Sequence, residues 1–211
     1  MIEEEQNIYK LYFILYIHIT TMAQTVSRRT EKSNRIPVQP IRTNNALYMS
    51  SMLEMNVLLS PTEIGIYRGI NKTKENLQTT IAYFVEGKCI SEGYVQPKSV
   101  SIVNYSSGMV KGDKIEFCVV FQCKTCLPVE GMWIYQCKVK SVTKAGIHAN
   151  VFDEQNNIPA TVFVVRDHFM ELPYFNTIKE NDTIDIRVIG TRFELNDSCI
   201  EVLGNLIQNK S

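Results

Sequence analysis

The second half of this chain consists of short strand-forming stretches separated by turn residues, and this pattern restricts the possible folds more than any other feature. Five strands are predicted after Gly131, at residues 133–142, 147–152, 160–165, 183–189 and 199–203. A longer connection over 166–182 separates the third strand from the fourth. This number and spacing of strands is typical of a small closed barrel of the oligonucleotide/oligosaccharide-binding (OB) type. We therefore predict an all-β OB barrel over residues 127–211.

The segment before the barrel combines strands with a single helix. A strand is predicted from Leu47 to Leu59, and it ends at Ser60-Pro61 because proline has no amide hydrogen to give to a ladder. Apolar residues at helical spacing predict an amphipathic helix from Asn71 to Val85, with Asn71 as its cap. Further strands are predicted at 88–95, 100–105 and 114–122. Residues 46–126 are thus predicted to form an α+β domain, one helix on a small antiparallel sheet.

The first 45 residues are predicted to be a disordered or mobile arm. Residues 25–45 are polar and basic and contain Pro37 and Pro40. The apolar run Lys10 to Ile19 is shorter than the ~20 residues that a membrane span needs, and acidic rather than basic residues precede it. We therefore expect no membrane association. Met22 opens a polar stretch typical of a natural N-terminus, so we expect residues 1–21 to precede the true start.

Composition excludes two classes of protein. Lys plus Arg and Asp plus Glu each number 22, and a chain of zero formal charge is unsuited to holding duplex DNA by its overall charge. Any nucleic-acid contact must therefore come from a local patch. The six cysteines show no dense framework spacing, which argues against a disulfide-stapled secreted module and favours a reducing compartment.

No motif of enzyme chemistry is present in the sequence. It contains no Gly-rich phosphate loop, no Gly-x-Ser-x-Gly elbow and no pair of histidines at metal-ligand spacing. We therefore expect no catalytic residues and no cofactor. Cys123 and Cys126 have the C-x2-C spacing of half a zinc knuckle, with Cys118 and Cys137 within reach in sequence. Zinc ligation and burial as free thiols both remain open for these cysteines.

The first three barrel strands carry the residues that suit contact with RNA. Alternation in the first strand places Cys137, Val139 and Val142 inward, and the lysines between them outward. OB barrels bind single strands with aromatic side chains for stacking and nearby cations for phosphates. The candidates are Lys138, Lys140, Lys144, His148, Phe163, Arg166 and His168. The alternative for Phe163 is a place in the core, and the alternative for the lysines is a solvated strand face.

Two stretches of the barrel sequence resemble known proteins. The run from Pro128 through Thr143-Lys144-Ala145-Gly146-Ile147 is similar to the OB module repeated in the largest protein of the bacterial small ribosomal subunit. The run from Ile178 to Arg192, followed by Asn196-Asp197 and 200–206, resembles the C-terminal strands of the stalk subunit of multisubunit DNA-directed RNA polymerases. That family includes the seventh subunit of eukaryotic polymerase II and its archaeal counterpart.

The upstream segment resembles the same family in the same order. The strand from Leu47 to Pro61, the helix after it and the run Val85-Glu86-Gly87-Lys88-Cys89 are similar to its N-terminal tip domain. The resemblance covers residues 46–206. The C-x2-C, the long arm and Asp167-His168 depart from the cellular pattern and make the chain look like the divergent versions of large nucleocytoplasmic DNA viruses.

The resemblance implies a non-catalytic subunit of a transcription complex. The tip domain would dock on the polymerase core near the clamp, a small helical subunit would bind alongside, and the barrel would face the nascent RNA. The residues implied for docking are Leu47, Tyr48, Leu58, Pro61, Gly87 and Tyr94. The implied location is the virion and host cytoplasm for a viral protein, or the nucleus for a cellular eukaryotic one.

An alternative from the translation class is a free OB-fold RNA-binding protein or decoy that resembles the alpha subunit of translation initiation factor two. In that protein the barrel begins the chain, whereas here it closes the chain. A third alternative, a zinc-dependent nuclease, lacks a second cluster of ligands in the sequence.

Overall fold

The computed structural model describes residues 47–65, 72–166, 175 and 177–207. The described part is mostly β. It contains eleven strands: β1 Met49–Leu59, β2 Cys89–Ile90, β3 Gly93–Val95, β4 Ser101–Tyr105, β5 Met109–Lys111, β6 Lys114–Cys126, β7 Trp133–Val142, β8 Gly146–Val151, β9 Ala160–Val165, β10 Thr183–Arg192 and β11 Ile200–Leu206. Two helices lie between β1 and β2: α1 Pro61–Ile64 and α2 Thr73–Val85. The predicted arm over residues 1–45 lies outside the described residues.

The first six strands form one antiparallel sheet with α2 packed against it. The long strands β1 and β6 pair along their whole length, from Met49 opposite Thr125 to Leu59 opposite Ile115. Strands β3, β4 and β5 also pair with β6, and β2 pairs with β3. Inward side chains of the sheet and of α2 form a buried cluster that includes Leu59, Leu77 and Phe121. We call residues 49–126 the sheet–helix unit.

The sheet–helix unit differs from its sequence prediction at several places, and β1, for example, begins at Met49 rather than at Leu47. The strand predicted over 88–95 is a hairpin of β2 and β3, because the chain turns back before Gly93, whose φ is 106°. A side chain at Gly93 would also collide with the carbonyl of Cys126. The strand predicted to end at 122 continues to Cys126, and β5 was not predicted. Helix α2 begins at Thr73 after an N-cap at Lys72, and the predicted cap at Asn71 lies outside the described residues.

The last five strands close into a barrel with the order β10-β11-β9-β8-β7. β7 and β9 have the predicted bounds, and β8, β10 and β11 differ from prediction by one to three residues at their ends. β11 runs parallel to β9 and antiparallel to β10, and β10 closes the barrel by pairing with β7. This topology is compatible with an OB-like barrel.

The barrel and the sheet–helix unit share a second buried cluster of side chains, and together they form one compact body. Barrel side chains such as Cys137 and Ile186 lie in the same cluster as Cys89, Tyr94 and Cys126 of the sheet. The backbone of Cys89 adds two hydrogen bonds to the loop between β10 and β11: its N–H donates to the Asp197 carbonyl at 2.8 Å, and its carbonyl accepts from Asn196 N–H at 2.8 Å. The sheet is therefore fastened to the barrel by apolar packing and by backbone pairing.

Candidate nucleic-acid interface

The ladder of the first three barrel strands brings most of the predicted RNA-binding residues together. His148 of β8 lies opposite Ser141 of β7 on one side and opposite Phe163 of β9 on the other. The two rings pack with their centroids 4.6 Å apart and their planes inclined by 44°. Both side chains are half-buried, whereas the residues that alternate with them are buried in the barrel. Phe163 is therefore on the outer face of the barrel and not in its core.

Two lysines extend this outer face along β7. Lys138 and Lys140 are exposed, while Cys137 and Val139, which alternate with them, are buried, as the alternation of the strand predicts. Lys138 lies opposite Asn150, two residues along β8 from His148. We call Lys138, Lys140, His148 and Phe163 together the lysine–aromatic face.

The histidine of this face is kept uncharged by its surroundings. Burial lowers the pKa of His148 below its ordinary value of 6.5, and the positive charge of Lys140 lowers it further. A phosphate placed beside Lys140 would offset that charge and favour the protonated imidazole. The lysine–aromatic face thus offers a ring pair for stacking, two fixed cations and a third group that can become a cation.

Gly146, at the start of β8, leaves the space that the Phe163 ring occupies. A side chain at Gly146 would collide with the carbonyl oxygen of Val164 and approach two carbons of the Phe163 ring to 3.1 Å. Gly146 is buried, and its carbonyl accepts from the N–H of Thr143 at 2.8 Å to close the β7–β8 turn. The lack of a side chain at this position is therefore a steric requirement of the ring pair.

Two further RNA-binding candidates lie at one end of the face. Lys144 is exposed in the β7–β8 turn. Arg166, just after β9, donates from Nη2 to the Thr143 carbonyl at 3.0 Å, and its guanidinium lies 5.0 Å from the centre of the Phe175 ring. These contacts fix Arg166 to the turn, so it positions this end of the barrel. His168 lies outside the described residues.

Three of the six predicted docking residues lie at the junction between the sheet–helix unit and the barrel. Tyr94 is only 3% exposed and belongs to the shared cluster, and Leu47 packs against that cluster. Tyr48 also packs there, and its hydroxyl donates to Asp153 Oδ2 of the β8–β9 loop at 3.0 Å. Their place explains why these residues are apolar or aromatic without reference to a partner.

Asp153 is the polar centre of that junction. Its carboxylate accepts from the side chain of Asn157 at 2.9 Å and from the backbone N–H groups of Gln155 and Asn157 at 2.9 and 2.8 Å. Burial by itself would raise the pKa of Asp153, but the hydrogen bonds from Asn157, Tyr48 and Gln155 hold it below its ordinary value. Burial and then the bond to Asp153 raise the pKa of Tyr48. The bond between them therefore joins a carboxylate to a neutral phenol.

The other docking candidates lie in the sheet–helix unit itself. Leu58, near the end of β1, is 44% exposed. Pro61 occupies the first turn of α1, which a capping box between Ser60 and Glu63 begins. Gly87 ends the turn after α2 with a φ of 70°, and its N–H donates to the Val95 carbonyl at 2.9 Å. Leu58 is therefore the exposed member of the predicted docking set, and Pro61 and Gly87 are partly exposed.

The two cysteines of the C-x2-C do not converge on one site. Both are buried in β6, but Cys123 belongs to the core of the sheet–helix unit and Cys126 to the cluster shared with the barrel. Burial raises the pKa of Cys123 to about 11 and that of Cys126 to about 12. Among the described residues, no group of three or more His, Cys, Asp or Glu side chains is placed to hold a metal ion. Packing as free thiols accounts for both cysteines.

Two exposed aromatic residues on the same strand as the lysines were not among the residues predicted from the sequence. Trp133 and Tyr135 of β7 are 36% and 38% exposed, with ring centroids 6.1 Å apart. Uniform alternation back from Cys137 would have placed both inward. The available signal was that Ile134 is out of phase with Cys137 and Val139, which indicates an extra residue in the strand.

Within the part of the chain that the structure describes, no helix is long and apolar enough to cross a membrane. Comparison with protein-family models finds no match for this chain, and comparison with curated proteins finds none either.

Proposed function

We propose that this protein is a non-catalytic stalk subunit of a DNA-directed RNA polymerase whose OB barrel contacts single-stranded RNA through the lysine–aromatic face. The observation that supports RNA contact is the arrangement of the His148–Phe163 ring pair beside Lys138 and Lys140 on the outside of a closed five-stranded barrel. Rings on which bases stack, next to cations that pair with phosphates, are what single-strand binding requires.

The assignment to a polymerase rests on the resemblance stated above and on the order of the parts. A tip domain with one main helix, followed by an OB barrel, is the order that the stalk family implies. Leu58 and Pro61 would contact the polymerase core, a small helical subunit would bind alongside, and the barrel would meet the emerging transcript. A viral form of such a subunit would act in the virion and host cytoplasm.

The small number of cations on the lysine–aromatic face fits this role. Two lysines and a neutral histidine bind RNA weakly, because affinity for phosphates grows with the number of cations that displace counterions. Attachment beside the transcript raises the effective concentration of RNA at the barrel, so that weak binding suffices. Specific chemistry is then left to the polymerase core.

RNA binding is tested with a fluorescently labelled single-stranded 12-mer and the full-length protein. Removing both cations by Lys138→Ala with Lys140→Ala should lower affinity about 25-fold at 0.1 M salt, and should reduce the slope of log K against log salt by about 1.4, since each phosphate contact contributes about 0.7. The matched control is Lys74→Ala with Lys124→Ala, which removes two exposed lysines of the sheet–helix unit. Equal binding by both double variants would contradict the assigned face.

Polymerase association is tested by purifying the tagged protein from cells that contain its natural complex. Large polymerase subunits should co-purify, and Leu58→Glu should release them because it puts a charge on the accessible docking strand. Leu195→Glu, at a residue 70% exposed in the β10–β11 loop of the barrel, is the control. Absence of polymerase subunits from the purified material would overturn the polymerase assignment.

A further inference from the structure

An extra residue interrupts the pairing of β7 with β10. Ile134 lies opposite Ile186 and Cys137 lies opposite Ile184, so that Tyr135 and Gln136 together face the single residue Asp185. This is a β-bulge. Gln136 has a φ of 58°, in the left-handed region that residues with side chains seldom adopt, and its N–H donates to Asp185 Oδ1 at 2.9 Å.

The bulge determines which side chains of β7 face outward. Before it, Trp133 and Tyr135 are exposed and Ile134 is buried. After it, Lys138 and Lys140 are exposed. A strand without the extra residue would turn either the two rings or the two lysines into the barrel, because side chains alternate with a period of two. The bulge therefore places both pairs on the same outer surface.

The two rings have no evident role in holding the barrel together. Neither belongs to a buried cluster, whereas Ile134 between them does. Opposite Trp133 on β10 is the exposed Arg187, which adds a cation beside the rings. Bulges are common beside functional sites, where they redirect a side chain. Trp133 and Tyr135 are thus exposed beside a cation, and their exposure requires the uncommon backbone conformation of Gln136. This combination indicates a binding surface.

We propose that Trp133 and Tyr135 form a second stacking surface for single-stranded RNA, continuous with the lysine–aromatic face along β7. The inference rests on the proposed RNA-binding function. Tyr135 and Lys140 are five residues apart, which corresponds to at most about 17 Å of strand at roughly 3.3 Å per residue. RNA that follows this strand would meet the Trp133–Tyr135 pair, then the two lysines, then the His148–Phe163 pair. That footprint agrees with the roughly 4 to 16 nucleotides that OB folds bind.

The sequence supplies a direct probe, since Trp133 is the only tryptophan in the chain. Titration of the full-length, unmodified protein with a 12-nucleotide oligouridylate should quench tryptophan fluorescence, with the same midpoint as the polarisation curve of a labelled 12-mer. Because this measurement needs no substitution, it does not depend on whether a variant folds. RNA binding by polarisation without any change in Trp133 fluorescence would overturn the second surface and leave the proposed function intact.

Substitutions of the two rings test the second stacking surface independently of fluorescence. Trp133→Ala and Tyr135→Ala should each lower affinity for the 12-mer roughly 5- to 100-fold, as expected for loss of one stacked base, and should leave the salt slope unchanged. Trp133→Phe should retain most of the affinity. The control is Tyr83→Ala, at a tyrosine of α2 that is 75% exposed. Circular dichroism confirms that each variant is folded.

The alternative occupant, a protein partner, gives a different result. Trp133→Ala would then release a co-purifying protein and leave RNA affinity unchanged, and RNA would not change the tryptophan fluorescence of the unmodified protein. This outcome overturns the proposal. Absence of RNA binding by the unmodified protein would overturn the second surface together with the proposed RNA-binding function.

Discussion

The outer face of the barrel and the outer face of the six-stranded sheet have the same geometry and different chemistry. On β1 the exposed side chains are those of Met49, Ser50, Met52, Glu54, Asn56 and Leu58. On β7 they are those of Trp133, Tyr135, Gln136, Lys138 and Lys140. In the sheet, the Cys118 thiol donates to Glu54 Oε1 at 2.8 Å, and this bond raises the pKa of Cys118.

An uncovered strand face does not by itself identify a ligand. Both faces follow from alternation along a strand with one buried side. Among the described residues of these two faces, only the barrel face combines paired rings with exposed lysines, and that combination suits single-stranded RNA. The sheet face has a carboxylate that accepts from a thiol, which disfavours a polyanion there.

The largest effect is expected from the steric requirement at the barrel face. Gly146→Val should lower the free energy of unfolding by about 3 kcal/mol, because the new side chain would collide with the Val164 carbonyl and displace the Phe163 ring. The counterpart in the sheet is Gly112, where a Cβ would meet no atom within 4 Å and only the φ of 66° opposes a side chain. Gly112→Ala should therefore cost about 1 kcal/mol. Urea denaturation measures both, and equal costs would contradict the steric account of Gly146.

A smaller effect is expected where the two regions are joined. Tyr48→Phe removes the hydroxyl that donates to Asp153, and should lower the free energy of unfolding by about 1 to 2 kcal/mol, since a bond to a charged acceptor is lost at a half-buried site. The matched control is Tyr83→Phe. Thermal or urea unfolding gives the comparison, and an unchanged stability for Tyr48→Phe would show that apolar packing alone holds the junction.

The smallest effect is expected from the titration of His148. Because its folded-state pKa lies below 6.5, the unfolded chain takes up the proton first as the pH falls. The contribution of His148 to the free energy of unfolding should therefore be fully present above pH 6.5 and should be lost as the pH falls below it. The reason is that this free energy rises with pH wherever the unfolded state binds more protons. His148→Gln should reduce this dependence, and Lys140→Ala should reduce it in part. Urea unfolding from pH 7.5 to 5.5 measures it, and parallel curves for the native protein and His148→Gln would contradict the burial of the imidazole.

Much of the barrel could be predicted because its signals are local. The bounds of β7 and β9 follow from strand-forming runs between turns, and the outward lysines follow from alternation with Cys137 and Val139. The position of His148 beside Phe163 depends on the register between β8 and β9, which alternation along one strand does not specify. The residues of the lysine–aromatic face were therefore predicted from the sequence, but their arrangement relative to one another was not.

What sequence reasoning missed depends on contacts between distant residues. The bulge at Gln136 is held by Asp185, 49 residues later in the chain, and it turns Trp133 and Tyr135 outward, where uniform alternation from Cys137 would place them inward. Tyr48 was assigned to docking, but its partner Asp153 is 105 residues away and could not be identified from spacing. The C-x2-C lies within a strand that crosses from one buried cluster to the other, and this also depends on tertiary packing.

The pairing of β11 between β9 and β10 has a consequence for synthesis of the protein. Until residues 200–206 leave the ribosome, β9 and β10 each keep an unpaired edge, and β10 must also reach back to β7, from Arg187 to Trp133. Contacts of such sequence separation form slowly, and exposed strand edges favour association between chains. We expect a truncated chain that ends before Ile200 to need protection by a chaperone, whereas a chain that includes Leu206 can close its barrel once it has left the ribosome.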